Sequence, residues 1–275
     1  MEVICAVDGS TAATGVVRYA AEVAARAGAG LRIVRAVQVA DPLFVTAGVV
    51  RAIDDPAERR QQVLERAQLQ LDELSAGVEG VEATSELRQG APDAEVFEAV
   101  AEHDASLIVI GTSARSGLRR ALGGVAQRII RRAPCPVLVV PHGYDRGLQE
   151  RPTILVGVRG GDREDAAAAM REAGRLADVL RAELVLSHAA RDASGSGADA
   201  GLERLAEGRR HIAAQGKPAQ ELLRIAAEID ADAIAVAPRG HGPLRQSLLG
   251  SVSTNLLAAG ERPVFVIPRT HRSAA

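Results

Sequence analysis

Two stretches of this chain combine glycines with basic side chains. One is ARSGLRRALGGVA, residues 114–126, and the other is GHGPLRQSLLGSVS, residues 240–253. Glycine lets the backbone approach a ligand closely, and the free N–H groups at the start of a helix attract anions. Each stretch could therefore bind a phosphate group. The alternative is a surface turn that only caps the helix after it.

An acidic residue, Asp8, follows the first apolar run of the chain, in VICAVDGS. A carboxylate at the end of a strand could accept hydrogen bonds from a ribose or from an adenine edge. The first glycine-rich stretch follows a second apolar run that ends at Gly111. Parallel α/β sheets bind ligands at the carboxyl ends of their strands, so the pattern indicates a nucleotide.

The chain is an internal duplication. QGAPDAEVFEAVAEHDASLIVIG, from Gln89, aligns with QGKPAQELLRIAAEIDADAIAVA, from Gln215, at an offset of 126 residues. The first apolar runs repeat at an offset of 151, so the second copy lacks about 25 residues before Gln215. The helical stretch 56–76 of the first copy has no full counterpart. Residues 191–201 of the second copy are rich in Gly and Ser, which is typical of a trimmed loop, with a functional lid as the alternative.

Strand and helix patterns alternate through each copy. In the first copy they predict strands at 3–7, 31–39, 81–88, 107–111 and 137–140, and helices at 12–27, 56–76, 93–103 and 125–132. This order predicts an α/β protein of two tandem, doubly wound, five-stranded parallel-sheet domains of Rossmann-like type. We expect domain 1 at residues 1–145 and domain 2, shortened after its second strand, at 152–270.

Composition limits the classes of function. Apolar residues make up 47% of the 275 residues and aromatic residues 2%, which predicts an aliphatic core. A net charge of −2, without interleaved aromatic residues, argues against nucleic acid as a partner. No apolar run is long enough to span a membrane, and the first strand starts by Val3, which leaves no room for a signal peptide. We therefore expect a cytoplasmic protein without membrane partners.

Nothing in the sequence has the spacing of a catalytic or metal site. Cys5 and Cys135 lie in or beside apolar runs and are expected to be buried thiols, and the six histidines lack metal-ligand spacing. There is no Gly-x-Ser-x-Gly elbow and no Walker-type Gly-Lys-Ser/Thr. Because Asp8 has no obvious base partner, we predict no catalytic residues and at most slow hydrolysis of a bound nucleotide.

Several motifs together resemble the universal stress protein domain. They are VDGS (7–10), VIGTSARSGLRRALGG (109–124) and APCPVLVVP (133–141) in the first copy, and RGHGPLRQSLLGSVS (239–253) and RPVFVIP (262–268) in the second. The resemblance covers nearly the whole chain, and a tandem arrangement is common in the family. It implies an adenine nucleotide alpha hydrolase-like fold in which the last strands, 137–140 and 264–267, pair the two copies as an intrachain pseudo-dimer.

Members of that family that bind ATP usually carry Gly, two residues, Gly, nine residues, and then Gly followed by Ser or Thr. In the first copy Gly111 and Gly124 fit this spacing, whereas Ala114 replaces the second glycine and Val125 the hydroxyl residue. In the second copy Gly240, Gly250 and Ser251 fit, and Ala237 replaces the first glycine. Asp8 matches the acid of the family's adenosine site, whose counterpart in the second copy is Arg159. The first copy thus keeps the acid, and the second keeps more of the phosphate motif.

The resemblance implies that the first copy binds an adenine nucleotide, ATP, with Mg²⁺ where it accompanies the nucleotide. The implied site consists of Val7, Asp8, Val37, Gly111, Ala114, Arg115, Gly117, Gly124, Val125 and Ala126. A second anion site would consist of Gly240, His241, Gly250 and Ser251. The alternative is a nucleotide-independent scaffold or interaction module. Apolar residues at 43–45 and 49–50 allow a homodimer contact or a lid, with packing over the first copy's own sheet as the alternative.

Overall fold

A computed structural model describes residues 1–38, 56–112, 122–158, 163–190, 208–237 and 249–268. In the first copy the strands are β1 (Glu2–Val7), β2 (Gly30–Val37), β3 (Ala83–Gln89), β4 (Ala105–Gly111) and β5 (Val137–Val140). The helices of that copy are α1 (Ala13–Ala27), α2 (Pro56–Ala76), α3 (Pro92–Glu102) and α4 (Gly124–Arg132).

The second copy repeats this order. Its strands are β6 (Thr153–Val158), β7 (Glu183–Ala190), β8 (His211–Gln215), β9 (Ala233–Val236) and β10 (Val264–Val266). Its described helices are α5 (Arg163–Leu180), α6 (Pro218–Glu228) and α7 (Ser251–Ala259). The predicted α/β alternation is confirmed. In the first copy β3 starts two residues later than predicted, and β2 ends at Val37 instead of residue 39, which lies outside the described residues.

The ten strands form one sheet in the order β3-β2-β1-β4-β5-β10-β9-β6-β7-β8. Neighbouring strands within each copy are parallel, whereas β5 and β10 are antiparallel, with Val139 opposite Val264 and Val137 opposite Val266. Apolar side chains cover both faces of the central strands; Ile4 and Cys5, for example, are fully buried on opposite faces. The last strands therefore join the two copies into one continuous sheet.

Helices cover both faces of the sheet. Helices α1, α2 and α5 pack on one face, through residues such as Val16, Leu71 and Met170. Helices α3, α4, α6 and α7 pack on the other, through Ile129, Leu256 and similar residues. The core is aliphatic as the composition predicted, and each of its two layers contains residues from both copies.

The segment between the copies, residues 141–152, is tied to both of them. The buried carboxylate of Asp232, next to β9, accepts the backbone N–H of Gln149 at 2.9 Å and of Thr153 at 2.8 Å. From α1, Arg26 donates to the carbonyl of Gln149 at 2.9 Å and to that of Glu150. The segment is therefore bonded to both copies, and the boundary between the two domains stays a prediction.

The strand order places a crevice next to β1. From β1 the chain adds β2 and β3 on one side, and then crosses to add β4 and β5 on the other. The connections leaving β1 and β4 therefore run to opposite sides, which leaves a gap at the carboxyl ends of these strands. The corresponding gap in the second copy lies between β6 and β9. No helix in the described part of the chain is long and apolar enough to cross a membrane.

Candidate functional site

The two residues singled out from the sequence, Asp8 and Gly111, lie at the same edge of the sheet. Strands β1 and β4 are neighbours, with Ala6 opposite Ile110, so Asp8 and Gly111 both come at the carboxyl ends of this pair. Asp8 is exposed, and its Oδ1 accepts the backbone N–H of Ser10 at 2.9 Å. The carboxylate therefore stabilises the β1–α1 turn and faces solvent at the crevice.

The β1–α1 turn depends on Gly9. This residue has φ +74°, in the left-handed region that favours glycine, and a Cβ there would overlap the guanidinium of Arg35. Helix α1 begins just after the turn, and its N-cap residue Ala12 makes no side-chain capping hydrogen bond. A helix N-terminus without a side-chain cap thus lies beside Asp8.

Gly111 has a structural reason to be glycine. A Cβ at this position would lie 2.8 Å from Cγ2 of Val16, on α1. The next residue, Thr112, is buried; its N–H donates to the carbonyl of Val140 at 3.0 Å, and its Oγ1 accepts the N–H of His142 at 2.8 Å. These bonds fix the start of the predicted phosphate loop. Ala114, Arg115 and Gly117 lie outside the described residues.

The loop ends at α4, whose N-cap residue is Gly123, with φ −60° and ψ 153° and no side-chain cap. In the second copy Gly250 occupies the same position before α7, with φ −61° and ψ 155°. The two N-caps therefore equate Gly123 with Gly250 and Gly124 with Ser251. The motif spacing had instead matched Gly124 with Gly250 and Val125 with Ser251. The difference arises because the first loop is one residue shorter than the second.

The remaining predicted site residues of the first copy could contact a ligand mainly through their backbone N–H and carbonyl groups. Val7 and Ala126 are buried in the core, and Val125 packs against it, whereas Gly124 is exposed at the start of α4. The carbonyl of Val37 already accepts the N–H of Gly90 at 3.2 Å. Any ligand contact by these residues would therefore use main-chain atoms.

Two features of this region were missed from the sequence. Arg35, on β2, lies opposite Val7 and donates from Nη1 to Oε1 of Gln70 at 2.6 Å. Burial lowers the pKa of Arg35, and the negative charge of Asp8 opposes that shift. The sequence contains a signal for this position. Leu31, Ile33 and Arg35 are spaced two residues apart, so their side chains lie on the same face of the strand, and this spacing predicts a charged side chain on a buried face.

The second missed feature is an ion pair between two helices of the first copy. Nε of Arg128, on α4, lies 2.9 Å from Oδ1 of Asp93, which is buried in the first turn of α3. The second copy has Ala219 and Asn255 at the equivalent positions. The pair joins α3 to α4 near the N-termini of both, at the edge of the sheet that carries Asp8.

The site of the second copy is described only in part. Arg159, Gly240 and His241 lie outside the described residues, as do residues 43–50 and 191–201. Ser251 starts α7 and is exposed, whereas His188, on β7, is buried opposite Val158. The strand register makes His188 the counterpart of Arg35, since Val158 and Val7 both end the first strand of their copies.

A group of possible metal ligands, among the residues that the structure describes, lies elsewhere. Ligand atoms of Glu86, Glu102 and His103 come within 4.8 Å of one another at the C-terminal end of α3. Arg88 forms ion pairs with both of these glutamates. The guanidinium of Arg88 is therefore the cation that pairs with the carboxylates of this cluster.

The structure defines a class of protein: a duplicated, doubly wound α/β protein in which Asp8 and Gly111 lie at the switch point of the first half of the sheet. The model of the universal stress protein family matches residues 1–141 and 198–268. The chain belongs to the universal stress protein family, and the resemblance noted in the sequence is confirmed.

Individual relatives agree with this assignment. Universal stress protein Rv2005c of Mycobacterium tuberculosis is 32% identical over 190 residues, which is 60% of this chain and 62% of that protein. Universal stress protein MJ0531 of Methanocaldococcus jannaschii is 39% identical over 84 residues, 30% of this chain and 46% of that protein. The chain thus spans less than two thirds of the length of these curated relatives.

Solved structures share the fold over the whole chain. A universal stress protein from Archaeoglobus fulgidus superposes with a TM-score of 0.69 and 22% identity, covering 98% of each chain. Two other universal stress proteins have been solved in complex with cAMP and with dAMP; they cover 52% and 50% of this chain, with TM-scores of 0.34 and 0.33.

Proposed function

We propose that the first copy of this tandem universal stress protein binds an adenine nucleotide, ATP, in the crevice between β1 and β4. One observation supports this most directly. The exposed carboxylate of Asp8 and the backbone at Gly111 lie at the carboxyl ends of adjacent strands where the connections diverge. The ligand would serve regulation, and the protein would act as a nucleotide-responsive stress protein in the cytoplasm.

The two ends of the crevice suit the two ends of a nucleotide. Asp8 would accept hydrogen bonds from the ribose or the adenine edge. The N–H groups at the start of α4, which lack a side-chain cap, would bind phosphate oxygens, and Mg²⁺ would accompany the phosphates. Gly124 is exposed there and has no side chain of its own, and Nη1 of Arg128 would lie 3.5 Å from a Cβ at this position, so a basic group is close to the helix N-terminus.

The second copy is proposed to have lost the nucleoside half of the site. Arg159 stands where the first copy has Asp8. The backbone geometry before α7 matches that before α4, which supports an anion-binding half in the second copy as well. We therefore propose that it binds at most a simple anion at Gly240, His241, Gly250 and Ser251.

The first experiment is to denature the purified protein and identify any released nucleotide by chromatography and mass spectrometry. About one adenine nucleotide per chain is expected. Calorimetry with added ATP then compares the wild type with Asp8→Ala, Asp8→Asn and the exposed control Asp145→Ala. A hydrogen bond to a charged group contributes about 1.5–3 kcal/mol, so the Asp8 variants should lose at least about tenfold in affinity.

The variants separate two roles of Asp8. Asparagine can still accept the N–H of Ser10 and keep the turn, but it lacks the charge. Loss of affinity in both Asp8 variants, with Asp145→Ala unchanged, would support the nucleoside contact. Absence of released nucleotide and of any binding heat would reject the proposal and favour the nucleotide-independent scaffold.

A further inference from the structure

Arg35 lies between the turn that carries Asp8 and helix α2. It belongs to β2, and its side chain is on the face of the sheet covered by α1 and α2, because Leu31 and Ile33 alternate with it into that layer of the core. Most arginines of the described residues are on exposed surfaces, whereas this one is partly buried. Such a position requires contacts that compensate for lost hydration.

On one side the guanidinium packs against the turn. A Cβ at Gly9 would overlap Nη2 of Arg35, so the group lies directly on the backbone of this residue. Burial lowers the pKa of Arg35, and the carboxylate of Asp8 raises it. Arg35 and Asp8 therefore attract each other across the turn, and a shift of the turn toward Arg35 would have to move the guanidinium.

On the other side the guanidinium is bonded to α2. Nη1 donates to Oε1 of Gln70 at 2.6 Å and to the carbonyl of Ala67 at 3.3 Å. Both acceptors are neutral, and Ala67 is itself buried together with Leu71. The guanidinium thus connects the middle of a 21-residue helix to the turn beside the crevice.

The second copy supplies an internal comparison. Its residue at the position of Arg35 is His188, which is shorter and cannot form the same fork of donors. This is also the copy that lacks about 25 residues in the stretch where α2 occurs in the first copy. The copy that contains the long helix α2 therefore has arginine at this position, and the shortened copy has histidine.

We propose that Arg35 positions the β1–α1 turn against α2, so that the geometry of the turn and the docking of α2 are coupled. As a consequence, a ligand bound at Asp8 would stabilise α2 as well as the turn; this part rests on the proposed function. Arg35 acts through Gly9 and Asp8 and does not itself contact the ligand.

Hydrogen exchange of the full chain tests the coupling without any ligand. Arg35→Ala removes the bridge. Gln70→Ala removes the shorter of its two bonds to α2 and leaves the one to the carbonyl of Ala67, so it provides a second variant if Arg35→Ala fails to fold. Arg60→Ala is the matched control, because Arg60 donates from α2 to Oε1 of Gln89 at 2.6 Å and links the helix to a different strand end.

The expected result for Arg35→Ala and Gln70→Ala is faster exchange, by about tenfold, in α2 and within residues 9–13, where the readout is the bonded N–H groups of Ser10 and Ala13. Arg60→Ala should speed exchange in α2 alone. Unchanged exchange at residues 9–13 in Gln70→Ala, and in Arg35→Ala if it folds, would overturn the proposal.

Ligand measurements then test the consequence. In the wild type, ATP should slow exchange in α2 as well as at residues 9–13, and Gln70→Ala should weaken binding of ATP and of adenosine by the same factor. Slowing confined to the turn, or a larger loss for ATP than for adenosine, would overturn the coupling, since the latter indicates a phosphate contact. If the wild type binds no nucleotide, the proposed function fails, and the exchange data without ligand still decide the role of Arg35.

Discussion

The attachment of the connecting segment 141–152 to the second copy can be tested by removing the carboxylate of Asp232. Its two oxygens accept the N–H groups of Gln149 and Thr153 at 2.9 and 2.8 Å, and the residue is 3% exposed. Asp232→Ala leaves both N–H groups without this acceptor. Loss of a hydrogen bond to a charged group costs about 1.5–3 kcal/mol, and water reaching the partly exposed segment reduces the cost.

We therefore expect Asp232→Ala to lower the free energy of unfolding by about 2–4 kcal/mol. For a chain of this size this corresponds to a fall in Tm of roughly 5–15 °C. Asp232→Asn keeps one acceptor oxygen and should lose about half as much. The exposed control Asp145→Ala should stay within about 0.5 kcal/mol of the wild type.

Urea unfolding followed by two signals is the assay. The chain has two tyrosines and no tryptophan. Tyr19 and Tyr144 pack edge to face at 5.7 Å between their ring centres, and the hydroxyl of Tyr19 donates to the carbonyl of Asp232 at 3.4 Å. Tyrosine fluorescence therefore reports the contact between the copies, while far-ultraviolet circular dichroism reports the whole fold.

In Asp232→Ala the fluorescence transition should shift to lower urea concentration by at least as much as the dichroism transition. A destabilisation below about 1 kcal/mol would refute the reasoning, because it would mean that the two backbone N–H groups find other partners at little cost. A loss as large in Asp145→Ala would show instead that the segment tolerates no substitution.

Three further results are expected. Gly111→Ala places a Cβ 2.8 Å from a methyl group of α1 and should destabilise the protein by about 1–3 kcal/mol in thermal unfolding, whether or not nucleotide is present; unchanged stability would contradict this. Burial raises the pKa of both Cys5 and Cys135 to about 12, so a thiol reagent at pH 8 should label neither in the folded protein and both in urea. The hydrogen bonds from Arg146 lower the pKa of Asp230 to about 2. The stability that this carboxylate contributes is therefore present above about pH 4 and is lost as the pH falls from 4 to 2. Asp230→Asn should flatten the dependence of the free energy of unfolding on pH in that range.

Much of the fold could be predicted because its signals are local. The repeat is found by aligning one copy with the other, and the alternation of apolar runs with amphipathic stretches is encoded within a few residues. The same holds for Asp8 and Gly111, whose places at strand ends follow from the runs before them. The pairing of β5 with β10 came from the family resemblance.

What could not be predicted involves residues far apart in the chain. The role of Gly111 depends on Val16, and the burial of Asp93 is explained by Arg128. Motif spacing matched Val125 with Ser251, whereas the two helix N-caps show that Gly124 is the counterpart of Ser251. In each case the partner is set by strand register and by the crossing of helices over the sheet.

The sequence by itself thus determined that this protein is a duplicated α/β chain with an acid and a glycine at the ends of two strands. Only the tertiary structure decided that β1 and β4 lie side by side, which brings Asp8 and Gly111 to one crevice. It also decided that Arg35 lies between Gly9 and α2. The physical reason is that periodicity fixes which face of an element is buried, whereas the neighbours of that face are fixed only when the whole sheet is assembled.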